Sequence, residues 1–234
     1  MLSHRLAAAF DCCEQEIVVG RERFRIMKVR NTNALLEAID PATFAEDERL
    51  PYWADLWTSS LELARWCLED GNLKNTRVLE LGCGLGLGGI AAAKAGARVT
   101  FSDYENSALD FSRCNARRNL PSDVYDQQLD FLQLDWRTLP PLEPFDVIIG
   151  ADIVYERRNF FPLVKVLTTL LRPEGIAVFT EPGRSIGTQF LSLLRDEGFV
   201  LETTMRSVAM NGTTSDILRA EIRLPPSLHH PVNR

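Results

Sequence analysis

Residues 78–89 read V-L-E-L-G-C-G-L-G-L-G-G. A short apolar run passes directly into five glycines, and one carboxylate, Glu80, stands two positions before the first of them. Glycine there lets the chain turn tightly and lets backbone approach a ligand with no side chain between. The helix expected next, over Gly88–Ala95, would aim its free N–H groups at the same spot. The stretch therefore demands a strand, a sharp turn and a helix in immediate succession. That sequence opens a nucleotide-type cofactor site.

The rest of the chain supplies a sheet for it. Strands are predicted at Arg77–Leu81, Arg98–Ser102, Gln128–Leu134, Asp146–Ile149 and Ile176–Thr180. Helices are predicted at Trp57–Glu69, Gly88–Ala95, Ser107–Arg118, Arg158–Leu171 and Gly187–Asp196, with stops at Gly96, Pro173 and Gly198. Runs such as V-I-I and I-A-V-F are apolar throughout, as in a parallel sheet covered on both faces. Val200–Val208 and Ile217–Leu224 flank M-N-G-T-T-S-D, so the chain should end in a hairpin whose last strand is antiparallel to its neighbour. The expected fold is α/β and Rossmann-like: a doubly wound, mostly parallel seven-stranded sheet with an antiparallel C-terminal hairpin. Residues 1–50 form an N-terminal extension, 51–225 the main domain and 226–234 a tail. The extension carries a hairpin over Glu16–Arg30, a short helix over Asn33–Ile39 and the start of a loop, Pro41–Pro51, with acidic Glu46, Asp47 and Glu48. Arg21, Arg23 and Arg25 share one strand face. They read either as charge protection of an edge strand or as a docking surface for an acidic partner.

Composition narrows the function classes. Hydrophobic residues make up 45% of the 234, charged residues 25%, and the net charge is −6. That is ordinary for a globular protein and argues against a nucleic-acid binder, which usually carries a basic excess. No stretch reaches the roughly 18 apolar residues of a membrane span. The five cysteines include no C-x-x-C pair, which fits a reduced, cytoplasmic protein. The histidines, His4, His229 and His230, lie near the termini, so neither a zinc site nor a histidine-based triad is expected.

Gly84-x-Gly86-x-x-Gly89 matches the dinucleotide pattern G-x-G-x-x-G, and Asp103, ending the second strand, could accept both hydroxyls of a ribose. Both features suit NAD(P) and S-adenosylmethionine alike. Three others favour S-adenosyl-L-methionine. Glu80 puts a carboxylate inside the first strand, suiting a ligand with a cationic amino group. Asp135 and Trp136 offer an acceptor for an adenine amino group and a stacking face. The chain also ends in a hairpin rather than a second mononucleotide-binding half.

With E-L-G-C-G-L-G as first motif, the sequence resembles the class I, seven-stranded S-adenosylmethionine-dependent methyltransferases. P-Y-W-A-D-L-W-T-S-S at Pro51–Ser60 and G-A-D-I-V-Y-E at Gly150–Glu156 are similar to the small protein-lysine methyltransferases with a D-x-x-Y motif. The resemblance covers Pro51 to Pro225. It implies that Gly82, Cys83 and Gly84 line the methionine and ribose part of the cofactor, and Gly86 is counted with the cofactor-binding residues. It further implies that Asp103 holds the ribose, that Trp136 and Asp135 meet the adenine, and that Trp57 and Ala151 close the site. Cys83 stands where the family often has alanine, a residue of similar size.

Methyl transfer to an amine needs a neutral nucleophile held close to the methyl group and away from water. Asp152 and Tyr155 lie just past the fourth strand, where open α/β sheets bind ligands. Asp152 would orient the amine and Tyr155 would pack against it or hydrogen-bond it. Plainer roles stand beside these: Asp152 as a cap of the next helix, Tyr155, Trp53, Trp57 and Trp136 as packing, and Glu80 as an unliganded carboxylate. The expected activity is transfer to a protein lysine. A small molecule or another protein atom as acceptor is the alternative, and a non-catalytic binding module is the third reading.

Overall fold

The computed structural model describes residues 2–37 and 50–225. Ile39, the acidic cluster Glu46, Asp47 and Glu48, and the tail 226–234 with His229 and His230 lie outside the described residues. The chain begins with α1 (Leu2–Ala9), β1 (Cys12–Val19), β2 (Glu22–Val29) and α2 (Thr32–Glu37). After a single 3-10 turn at Tyr52–Ala54 comes α3 (Thr58–Glu69). The alternating part follows: β3 (Arg77–Leu81), α4 (Leu87–Lys94), β4 (Arg98–Asp103), α5 (Asn106–Asn119), α6 (Ser122–Gln128), β5 (Leu129–Gln133) and β6 (Phe145–Ala151). It ends with α7 (Phe160–Leu170), β7 (Leu171–Glu181), α8 (Ser185–Asp196), β8 (Val200–Met210) and β9 (Thr213–Arg223).

The seven-stranded sheet has the order β5-β4-β3-β6-β7-β9-β8. Strands β3 to β7 pair in parallel, and β9 pairs antiparallel with both β7 and β8. Only β9 therefore runs against the rest. The order reverses between β3 and β6, and the carboxyl ends of those two strands carry the glycine turn and the D-x-x-Y segment. Open α/β sheets bind their ligands at such a switch point.

Side-chain alternation explains why both faces are covered. Val78, Val147, Ile149 and Val178 join the core beneath α3, α4 and α5. Their neighbours Leu79, Ile148, Ala177 and Phe179 join the opposite core, with Leu163, Val166 and Leu167 of α7 and Phe190, Leu191 and Leu194 of α8. Helix α4 is buried from Leu87 to Ala93, as its all-apolar sequence requires.

The N-terminal hairpin is not an appendage. Phe24 and Ile26 are fully buried in the first core. The outer edge of β2 is closed by two amides of α5 rather than by another strand. Asn115 accepts from Met27 N–H (2.7 Å) and donates to Met27 C=O (3.0 Å). Asn119 does the same at Arg25, at 2.8 and 2.9 Å. Spaced four apart, both amides face the strand and satisfy groups that an edge strand would leave open. Arg21 lies in the turn before β2 rather than on its face, and of the other two arginines Arg23 pairs with Glu16 at 2.6 Å and Arg25 with Glu14 at 2.9 Å, across the hairpin.

Element boundaries moved where local signals were weak. Helix α7 starts at Phe160 rather than Arg158, because Arg157–Asn159 forms a 3-10 turn. Strand β7 starts five residues before the expected Ile176, since Leu171 already pairs with Phe145 ahead of a register shift. Pro173 and Gly175 in that stretch conceal its pairing from a propensity argument. Helices α1 and α6 had not been expected.

Candidate functional site

A cavity of about 680 Å³ opens at the switch point, and every candidate site residue lines it: Trp57, Glu80, Gly82, Cys83, Gly84, Gly86, Asp103, Asp135, Trp136, Ala151, Asp152 and Tyr155. The backbone forms one wall. Gly82, Gly84 and Gly86 have φ of 56°, 49° and 82°, conformations that side chains rarely tolerate. A Cβ on Gly82 would stand 3.0 Å from Ile153 and 3.6 Å from the Trp136 ring, and one on Gly84 would stand 3.4 Å from the Trp53 carbonyl. The turn is anchored below by Asp103. Its Oδ2 accepts from Gly84 N–H and its Oδ1 from Glu105 N–H, both at 2.9 Å. Burial pushes the Asp103 carboxyl up to about 6, against the pull of those N–H groups.

Glu80 is buried beneath the first turn of α4. A Cβ on Gly88 would come within 2.6 Å of its Oε1, and one on Gly89 within 2.6 Å of its Oε2. These glycines thus make room for a carboxylate under a helix. Burial pushes Glu80 up to about 8; the N–H groups of Gly89 and Gly88 pull the other way without giving Oε2 a hydrogen bond of normal geometry. A buried acceptor without a partner is costly unless a ligand completes it.

The other wall is built from side chains. Asp152 follows β6 with φ 56°, and its N–H donates to the Thr180 carbonyl of β7 at 2.7 Å. Its carboxylate does not cap α7, which begins at a turn with no side-chain cap. It is paired instead with Arg184, which sequence reasoning missed. Burial raises the Asp152 carboxyl and Arg184 opposes that rise. Glu181, also missed, ends β7 with both oxygens buried and unbonded. Burial, then Asp152, pushes it up to about 7. The signal for Arg184 was the topology: in a parallel sheet, the residues just past β7 reach the same rim as those just past β6, while Glu181 is buried behind that rim against Gly187.

Aromatic rings rim the mouth. Tyr52 meets Trp57 edge-on at 6.0 Å and Tyr155 at 5.4 Å between centroids. The Trp57 Nε1–H donates to the Tyr52 carbonyl at 2.8 Å. Trp57 and Tyr155 are 37% and 39% exposed, too open for core filler. Burial pushes the Tyr155 phenol up to about 12, with Glu156 adding to the rise, so it stays a neutral phenol. Asp135 is held by Arg137, whose Nε and Nη2 both reach its carboxylate at 2.9 Å. Trp136 packs at the edge of the second core and faces the Gly82 backbone.

Comparison with known proteins identifies the family. The family model described as lysine methyltransferase matches residues 42–197. The protein N-lysine methyltransferase METTL21A of Xenopus tropicalis is 32% identical over 174 residues, covering 73% of this chain and 78% of that one. The histone-arginine methyltransferase METTL23 of mouse is 30% identical over 171 residues, covering 68% of this chain and 64% of that one. Among solved structures, the glycopeptide N-methyltransferase MtfA complexed with S-adenosyl-L-methionine shares the fold, with a TM-score of 0.58 at 17% identity over 71% of this chain and 94% of that one. The cavity fits such a cofactor: glycines leave backbone bare for close approach, and the unpartnered Glu80 oxygen suits a cationic amino group. The chain belongs to the lysine methyltransferase family, and it is a methyltransferase whose cofactor is S-adenosyl-L-methionine.

Proposed function

We propose that this methyltransferase acts on the side-chain amine of a lysine in a protein. The observation that carries the reading is one cavity that joins a cofactor turn to the D-x-x-Y pair, Asp152 and Tyr155, under an exposed aromatic rim. An open rim of rings admits a long apolar stem ending in an amine, which is what lysine presents.

When bound, S-adenosylmethionine would supply an electrophilic methyl group for a neutral amine, with the thioether as leaving group and the surplus amine proton passing to solvent. The chain's residues hold and orient. Gly82, Cys83, Gly84 and Gly86 give backbone contact to the methionine and ribose, and Glu80 meets the amino group. Asp103 accepts the ribose hydroxyls with the lone pairs that Gly84 and Glu105 leave open. Trp136 stacks on the adenine, whereas Asp135 reaches it only by sharing oxygens with Arg137. Trp57 and Ala151 close the site. Asp152 orients the amine, and Tyr155, as a neutral phenol, offers a hydrogen bond and a ring face rather than a base. Residues 51–225 are the transfer domain in this reading, and residues 1–50 an extension whose strand β2 is braced against α5.

A reducing, cytoplasmic setting suits the five free cysteines. Among the described residues, no helix is long and apolar enough to cross a membrane. Incubating a cell lysate with the purified protein and methyl-labelled cofactor, followed by mass spectrometry of the labelled bands, tests the acceptor. Label on lysine is the expected result. Label confined to arginine, to another side chain or to small molecules overturns it.

A further inference from the structure

Asp152 has a partner that those roles leave unused. Arg184 stands three residues past β7, directly before α8, after Gly183 with φ 72°. Its Nη1 is hydrogen-bonded to Asp152 Oδ1, and its Nη2 lies 3.4 Å from Oδ2. The Asp152 side chain is 8% exposed and that of Arg184 42%, so the guanidinium roofs a carboxylate that is otherwise inside the wall. Asp152 is also pinned through its own backbone to Thr180. The same guanidinium acts on Glu181, the second carboxylate at this corner.

The charges facing Asp152 come from several elements. Glu181 and Arg184 flank it from β7 and the start of α8. Tyr155, Glu156 and Arg158 follow it in its own loop, where Arg158 and Glu156 pair with each other. Asp103 lines the same cavity from β4. Without Arg184, the corner at Asp152 and Glu181 would be purely acidic.

That matters for amine methylation. A lysine ammonium has no lone pair, and its reference pKa is about 10.4. A bare carboxylate would bind the ammonium well and make its proton harder to remove, since an opposite charge nearby favours the charged form. Resting on the lysine reading above, we infer that Arg184 is a positioning residue for methyl transfer: paired with Asp152, it fixes that carboxylate in the wall and offsets its charge, so that the wall orients the acceptor as a neutral amine instead of trapping an ammonium.

The test uses the full chain and, as acceptor, the lysate band that wild type labels. Initial labelling rates are followed from pH 6.5 to 10 for wild type, Arg184→Gln and Arg184→Lys, with cofactor affinity by calorimetry as control. Wild type should rise with pH to a plateau. In Arg184→Gln the midpoint should move up by about one pH unit, with rates about tenfold lower at pH 7.5 and recovery to near wild type on the plateau. Arg184→Lys restores a cation and should restore the midpoint. Cofactor affinity should change less than about twofold, because Arg184 acts at the corner of Asp152 and Glu181 and not on the glycine turn. A uniform loss with an unmoved midpoint, or no change at all, overturns the inference while leaving the lysine reading standing. Failure of that reading shows in wild type alone, as label on something other than lysine, and overturns both.

Discussion

The two walls of the cavity are built by different means. The cofactor wall is backbone: glycines at positive φ, a carboxylate under a helix start, and Asp103 holding the turn by two N–H groups. The acceptor wall is side chain: Asp152 under Arg184, and Tyr155 against Tyr52, with Glu181 buried behind them under α8. A backbone wall suits a ligand that is always the same. A wall of side chains can change its acceptor by substitution while the turn stays intact.

The sharpest way to break the division is a pair of substitutions, one per wall. Asp152→Ala should lower the transfer rate by about 100-fold or more through loss of orientation, while cofactor affinity stays within about twofold. Gly84→Ala should do the reverse: its Cβ crowds Trp53 at a positive φ, so cofactor affinity should fall at least about tenfold and the fold should lose roughly 1–2 kcal/mol. Calorimetry and single-turnover labelling separate the two. If Asp152→Ala loses cofactor binding as well, the walls are one unit.

Glu80 offers a second, smaller test, because its cost falls on the fold and its use on the ligand. Its carboxyl is pushed from 4.5 up to about 8 by burial. The folded chain therefore keeps a proton that the unfolded chain releases. Stability from the protonated form is full below about pH 4.5 and is lost as pH rises towards 8. Glu80→Gln cannot ionise and should raise the Tm of the ligand-free protein at pH 8, by about 5 °C if roughly 2 kcal/mol is relieved, with little change at pH 4.5. The same variant should bind S-adenosylmethionine about tenfold more weakly, a charge-assisted contact being worth about 1.5–3 kcal/mol. An unchanged affinity would leave Glu80 as a packing residue.

The two walls also differed in how readily the sequence disclosed them. The backbone part of the cofactor wall is local: Glu80 and Gly82 to Gly89 are one short stretch, and Asp103 ends the next strand. Spacing alone brings them together. The acceptor wall draws on Asp152 and Arg184, which the sheet order makes neighbours, and on Tyr52 from the turn before α3. Asp152 and Tyr155 were found because they share a motif; Arg184 and Glu181 carry no motif and were missed. Strand β7 was shortened for a related reason, its first residues pairing through Leu171 in a stretch that Pro173 and Gly175 make look like a loop. The asparagines that seal β2 were equally silent, since Asn115 and Asn119 on a helix look like solvated positions until a strand edge is laid against them.

Asp103 gives the finest test of the cofactor wall, and it must be separated from Glu80. Burial puts its carboxyl at about 6, and the ribose hydroxyls need acceptors, which the ionised form supplies best. Binding should therefore hold Asp103 ionised, and affinity should fall as pH drops below 6, by up to about tenfold per unit. Glu80, near 8 in the ligand-free protein, adds its own slope above 6 if it meets a cation there. Measuring Kd from pH 5 to 8 in the Glu80→Gln background removes that upper slope and isolates the lower one. Adding Asp103→Asn should then flatten the profile at a weaker Kd. A lower slope that persists in the double variant would assign the proton to another group and take Asp103 out of ribose binding, leaving it the single task of anchoring the Gly84 turn.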